Sequence, residues 1–329
     1  MISILMPAYN AGKYIADSIE SVLQQSYKDW ELIIVDDKST DNTYEISLKF
    51  AHHDDRIKVY QLEKNSGSAQ RPRLMAEKIA KGKLVCYLDA DDILESMYLE
   101  KLLNRQIETQ ADAIIGRLCG LTTDGIKQNP FNPKLGFDLD SLVSGKEAFM
   151  LTVGSWEING LGLFKKEVLD IALNKTSRLI DSINADELYT RIKFLSCNTV
   201  AFCQADYYYR NNLESITKKF SIKLFDCLDA VSSVRLLTCE IFGKNSKEYA
   251  KATSYHFSTI RYCISLFRKK ISSIDVDKRL SIKNKIHSNW RQLSVIEVFR
   301  SSVKEGILYF LGFNFVYMAY ILRNYVKFK

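Results

Sequence analysis

The run LVCYLDADD, Leu84 to Asp92, carries an apolar, strand-like stretch straight into three carboxylates, Asp89, Asp91 and Asp92, within four positions. Carboxylates this close repel one another, and keeping all three ionised is costly unless a cation shares the site. Other polar clusters follow other apolar runs. They are Pro7-Ala8-Tyr9-Asn10, Asp36-Asp37 within DDKSTDNT, and NSGSAQRPR, which brings Arg71 and Arg73 to the start of a helical stretch. Aspartate oxygens without His or Cys suit a hard divalent ion such as Mg2+ or Mn2+. The planar fork of arginine matches phosphate oxygens. Together these residue types point to a divalent cation and a phosphorylated ligand. Each motif alone has a plainer reading: DDKSTDNT can be a polar loop whose Thr40 or Asp41 caps a helix, and Arg73 a surface charge. LDADD is harder to explain that way, because nothing in loop design calls for three neighbouring acids. The chain has no GxGxxG and no GxxxxGK[ST], so neither a Rossmann dinucleotide site nor a P-loop is supported.

The elements that must position these groups follow from the hydrophobic pattern. Apolar runs predict strands over 2–6, 31–35, 56–62, 83–88 and 112–116, with helical stretches at about 12–26, 41–53, 68–81 and 96–109 between them. That alternation defines an α/β fold with a mostly parallel sheet covered on both faces by helices. Ligands of such sheets bind beyond the carboxyl ends of the strands, where the polar clusters fall.

The stretch ISILMPAYNAGKYIADSIESVLQQSYKDWELIIVDDKSTDNT, followed by NSG…R and YLDADD, resembles the family 2 glycosyltransferases of the GT-A fold. The resemblance covers roughly residues 1–217 and implies a catalytic domain there, with a nucleotide-binding half (1–116) and an acceptor half (117–217). It implies that Pro7 and Tyr9 border the base and ribose of a nucleotide-sugar donor, a UDP-sugar, and that Asp37 accepts a hydrogen bond from uracil. Arg73 would lie near the diphosphate, although QRPR replaces the commoner ARN pattern. Asp89 and Asp91 would be the D-x-D element, with Asp91 the direct ligand of Mn2+ or Mg2+. In SINADELYTRIKFL, Asp186 would be the general base and Glu187 the fallback, with Ala185 where the commoner glutamate stands. Trp156 would face the acceptor, or else fill the core. YYYRNNLESIT would form the closing strand and loop, with Arg210 either reaching the phosphates or solvated. The implied reaction is a single inverting displacement onto a hydroxyl acceptor, a polyprenyl-linked glycan of surface polysaccharide synthesis.

Composition bounds the rest. With 47% hydrophobic and 26% charged residues over 329 positions, the chain reads as globular. Its seven cysteines form no CxxC pair, which suits a reducing cytoplasm, and the apolar start breaking at Pro7 is not a signal peptide. The net charge of +7 is uneven: residues 1–217 hold 25 Lys+Arg against 31 Asp+Glu, residues 218–329 hold 21 against 8. From about Phe220 long helical patterns form a basic C-terminal extension. Its segment 306–322 has no charge over 17 residues and is flanked by Lys304 and Arg323. The expectation is a helix lying on an anionic membrane surface, which would place the protein on the cytoplasmic face of the cell membrane. The alternative is packing on the catalytic domain or on a second copy, giving a homo-oligomer. No nucleic-acid-binding module is present. Two rival readings are a haloacid-dehalogenase-like phosphatase using Asp89, where DADDIL would have to end a first strand, and an inactive transferase-like scaffold.

Overall fold

The computed structural model describes residues 1–122, 127–130, 141–154, 157–176, 185–211, 220–310 and 312. The chain divides into two compact units, one of Met1–Thr152 with Trp156–Lys219, the other of Val153–Ser155 with Phe220–Lys329.

The first unit opens with the expected alternation. Strands β1 (Ile2–Ala8), β2 (Trp30–Asp36), β3 (Ile57–Gln61) and β4 (Leu84–Tyr87) enclose helices α1 (Ile15–Leu23), α2 (Thr43–His53) and α3 (Gln70–Ile79). All seven residues of β1 and of β2 are buried, as strands covered on both faces must be. Ile15, Ile19 and Val22 line the buried stripe of α1, at the i, i+4, i+7 spacing of an amphipathic helix. The strands pair in parallel in the order β3-β2-β1-β4.

Beyond β4 the sheet is mixed, which the sequence rhythm did not foreshadow. The chain continues through β5 (Ile93–Leu94), α4 (Tyr98–Thr109), β6 (Ala113–Leu121), β7 (Lys127–Pro130), β8 (Leu142–Ser144), α5 (Gly145–Leu151), β9 (Leu163–Lys165), α6 (Lys166–Thr176), α7 (Ala185–Ser196) and β10 (Thr199–Arg210). The order extends as β4-β9-β6-β10-β5, with β7 on β6 and β8 on β10. Short β9 lies antiparallel between β4 and β6. The approach to β9 is tight: a Cβ on Gly162 would sit 2.1 Å from the carbonyl oxygen of Ile114. The parallel pair β6–β10 carries an irregularity, since Phe202 pairs with Ile115 and Asp206 with Arg117, so four steps along β10 run against two along β6.

The second unit is helical: α8 (Cys227–Phe242), α9 (Lys247–Lys270), α10 (Val276–Arg291), α11 (Val295–Ser301) and α12 (Val303–Phe310). Its core gathers Phe225, Leu228, Phe257, Ile264, Phe267 and Trp290, with Trp290 stacked on Tyr309 at 4.7 Å between ring centroids. Among the described residues no helix is long and apolar enough to cross a membrane. Most of segment 306–322 lies outside the described residues.

Candidate active site

The strand order creates a crevice. From β1 the chain steps outward to β2 and β3, then returns to place β4 on the other side of β1, the arrangement at which open α/β sheets bind ligands. Pairing of β1 with β4 stops at Leu5–Tyr87, while pairing with β2 runs on to Ala8–Asp36. Pro7 has no N–H to extend the ladder towards β4. Pro7 is buried at the end of β1 and Tyr9 is half-buried just past it; β4 leads directly into Asp89.

Two of the sequence clusters close on each other. Asn10 adopts φ 48°, its N–H donates to Ser39 Oγ at 2.9 Å and its Oδ1 accepts the Thr40 N–H at 2.9 Å. Ala11 N–H donates to Thr43 Oγ1 and Gly12 N–H to Asp41 Oδ2, so the P-x-Y-N turn is fastened to DDKSTDNT. A side chain on Gly12 would fall 1.9 Å from Asn42 Oδ1, so the exposed Asn42 side chain would have to move. Asp41 also accepts the Thr43 N–H at 3.0 Å, at the start of α2. Burial would raise its carboxyl, but the donors from Thr43 and Gly12 prevail and hold it low. Asp36 is occupied by Ser39 and by Gln61 Nε2 at 2.9 Å. Asp37 accepts from Ser66 N–H at 2.8 Å, Ser66 Oγ at 3.0 Å and Asn65 Nδ2 at 3.1 Å. Burial pushes its carboxyl up despite these donors. The structure thus joins Asp37 to the NSG loop leading into α3.

The three acids of LDADD have separate surroundings. Asp89 Oδ1 pairs with Arg73 Nη2 at 2.6 Å, both partly exposed, so the fourth residue of α3 meets the end of β4. Asp92 is fully buried. Its Oδ2 accepts Tyr207 Oη at 2.7 Å and its Oδ1 the Arg210 N–H at 2.8 Å, while Tyr207 Oη accepts the Asp89 N–H at 3.0 Å. Burial first, then repulsion from Asp89 and Asp91, pushes the Asp92 carboxyl well above the usual range. Asp91 stays half-buried, its carbonyl accepting Arg210 Nε at 2.8 Å.

Of the two alternatives for Arg210, the solvated one does not hold. It is 3% exposed, donates Nη2 to Asp17 at 3.0 Å and lies over the Tyr14 ring at 4.7 Å. Tyr207, which bridges Asp89 and Asp92, was hidden by its place in a run of three tyrosines; the signal was the alternation that turns Ala205 and Tyr207 inward.

On the acceptor side, Asp186 is the second residue of α7, and its side chain lies outside the described residues, as does Trp156. Glu187 pairs with Arg191 at 3.2 Å, and the buried Arg191 donates to the Thr152 carbonyl at 3.0 Å. Among the described residues no three His, Cys, Asp or Glu side chains gather as a metal cage. The donor set nevertheless fits a cation held by two carboxylates. Asp89, already paired with Arg73, and Asp91 would be the carboxylates at the strand end, and ligand phosphate would supply the remaining oxygens.

Residues 3–137 match the family described as Glycosyl transferase family 2. The glycosyltransferase GlyG of Streptococcus pneumoniae serotype 4 is 29% identical over 294 residues, 82% of this chain and 95% of its own length. The poly(ribitol-phosphate) beta-N-acetylglucosaminyltransferase TarP of Staphylococcus aureus is 29% identical over 271 residues, 79% of this chain and 80% of its own. The crystal structure of S. aureus TarS 1-349 in complex with UDP-GlcNAc matches with a TM-score of 0.70 at 20% identity, covering 98% of this chain and 89% of that one. Residues 3–137 are thus similar to the family 2 glycosyltransferases, and the chain shares the GT-A fold of the TarS structure. Its LDADD run ends the fourth strand, not the first, unlike the phosphatase arrangement.

Proposed function

We propose that the protein transfers a sugar, with inversion, from a UDP-sugar to a hydroxyl of a surface-polysaccharide precursor carried on a polyprenyl lipid. The observation that carries this is the Arg73–Asp89 pair beside Asp91 at the crevice between β1 and β4. Residues 1–116 would hold the donor, with Pro7, Tyr9 and Asp37 at the uracil end; Asn65 and Ser66 fix the Asp37 carboxylate there. Arg73 would neutralise the departing diphosphate. Mn2+ or Mg2+, held by Asp91 and Asp89, would supply further charge stabilisation to the diphosphate when bound. Asp186 on α7 would take the proton of the attacking hydroxyl, with residues 117–217, including Trp156, shaping the acceptor side. The TarS complex makes UDP-GlcNAc the first donor to test, and the name of TarP favours poly(ribitol-phosphate) as a second acceptor. Residues 218–329 would attach the enzyme to an anionic membrane surface, with Val303, Ile307 and Phe310 exposed along α12 and basic residues around them; pairing of the C-terminal helices between two copies is the alternative.

The test is calorimetric titration with UDP, GDP and dTDP, with and without Mn2+, on wild type and Asp91→Asn. The expected result is UDP-selective binding that needs Mn2+ and is lost in the variant. Absence of binding to every nucleotide would withdraw the reading. Binding with no turnover of any donor would favour a scaffold, and release of phosphate from simple esters a phosphatase.

A further inference from the structure

Under the sheet edge that carries Arg73 and Asp89 lies a buried carboxylate that the proposed reaction does not use. Glu77 sits on α3 one turn after Arg73 and is 4% exposed. Tyr87 Oη donates to Glu77 Oε1 at 2.7 Å, and Tyr189 Oη donates to Oε2 at 2.5 Å. Tyr87 is the last residue of β4, two positions before Asp89. Tyr189 stands on α7, one turn after Asp186. Lys193, a further turn along α7, is also buried. Its ammonium lies 3.8 Å from the centroid of the Tyr87 ring and donates to the Gly160 carbonyl at 3.3 Å. Lys166, at the start of α6, donates to the Glu77 carbonyl at 3.0 Å. Burial raises the Glu77 carboxyl, while Lys193 and the two phenol donors favour its ionised form.

Burying a carboxylate and an ammonium together is a weak way to gain stability compared with apolar packing. What distinguishes Glu77 is what it connects. One oxygen reaches the strand that delivers Asp89, the other reaches the helix that delivers Asp186, and its own helix delivers Arg73. We infer that Glu77 is a positioning residue that, through Tyr87 and Tyr189, fixes α7 and the end of β4 against α3 and so sets the proposed base relative to the donor diphosphate. This rests on the donor and base assignments proposed above. Misplacing a reacting group by an ångström is enough to lower the rate on the order of a hundredfold, so the connection should be visible in turnover.

The experiment compares wild type with Tyr189→Phe, Tyr87→Phe and Glu77→Gln, following UDP release from UDP-GlcNAc with Mn2+ and poly(ribitol-phosphate) as acceptor, and UDP affinity by calorimetry. Tyr189→Phe cuts only the link to α7, and its kcat should fall roughly tenfold or more, with the KM for UDP-GlcNAc and the Kd for UDP within about twofold of wild type. Tyr87→Phe should instead weaken UDP binding, and Glu77→Gln should show both effects. A second readout needs no turnover: UDP with Mn2+ should slow amide hydrogen exchange in α7 of wild type, and that protection should vanish in Tyr189→Phe. A purely structural role would lower the melting temperatures of all three variants and leave kcat, Kd and α7 protection of the folded protein at wild-type values; that result overturns the inference. A wild type that binds no UDP overturns the functional reading itself, and is told apart from the former by its appearing before any variant is made.

Discussion

In the α/β unit several buried ionisable side chains lie at one end of the sheet; in the helical unit they stand between helices. Asp37, Glu77, Asp92 and Arg210 are each buried and each meets partners from another element, and all lie around the carboxyl ends of β1, β2 and β4. In the helical unit Arg235 donates to Tyr249 Oη, Tyr249 donates to Glu297 Oε1 at 3.0 Å, and Lys244 pairs with Glu297 at 3.0 Å. Burial would raise the Glu297 carboxyl, yet Lys244, Ser294 and Tyr249 hold it down to about 2. These residues lock α8, α9 and α11 to one another. Buried charge therefore ties strand ends to neighbouring helices and loops in one region and helix to helix in the other. The same kind of substitution should have different consequences in each.

The largest effect should come from emptying the helical core. Trp290→Ala is expected to cost about 3–5 kcal/mol, seen as an earlier calorimetric transition, while UDP affinity per folded molecule stays at the wild-type value. Loss of UDP affinity in step with the transition would dissolve the contrast. Asp91→Asn should do the reverse, with UDP affinity in Mn2+ lost, kcat/KM falling about 10²–10³-fold and thermal stability close to wild type.

A pH titration should separate the regions further. Burial lowers His256 from 6.5 to about 4, with only Asn289 Oδ1 at 3.0 Å on its Nε2 acting to raise it. The unfolded chain therefore binds the proton first, and stability is fully present above about pH 6.5 and lost as pH falls towards 4. The loss is on the order of 3 kcal/mol at one pKa unit per 1.36 kcal/mol. Urea denaturation across pH 7 to 4.5 should show this slope, and His256→Gln should flatten it. Smallest of the four, Tyr207→Phe removes the hydroxyl shared by Asp89 and Asp92 and should cost about 1–3 kcal/mol, measured as a shift of the urea midpoint.

The parallel half of the sheet was legible because its strands are buried on both faces and read as unbroken apolar runs, LIIV in β2 above all. The mixed half was legible only in part: the run 112–116 marked β6 and the stretch 96–109 marked α4, but the shortest strands gave no signal. β5 has two residues and β9 three, too few for any period to register, and their neighbours are chosen by topology. Helix α1 begins at Ile15, later than the pattern suggested, because Tyr14 N–H is engaged in a turn to the Ala11 carbonyl at 2.8 Å. At the site, the Arg73–Asp89 pair spans 16 positions and both members stand in recognisable motifs. The partners of Asp92 lie 115 and 118 positions away on β10, so no local spacing could separate its role from that of Asp91. The burial of Arg210 could not be read for the same reason: its partner Asp17 is 193 positions distant.

The irregularity in β10 acts on the strand as a reading frame acts on a message. Everything that β10 contributes to the site, the Tyr207 hydroxyl and the Arg210 backbone and guanidinium, lies downstream of the point where Phe202 and Asp206 change step against β6. Side chains alternate faces along a strand. Deleting one residue between 202 and 206 would turn Tyr207 and Arg210 to the opposite faces and leave Asp92 buried without its donors. Deleting two would keep the faces and only straighten the strand. Tolerance to length change in this short stretch should therefore alternate between odd and even.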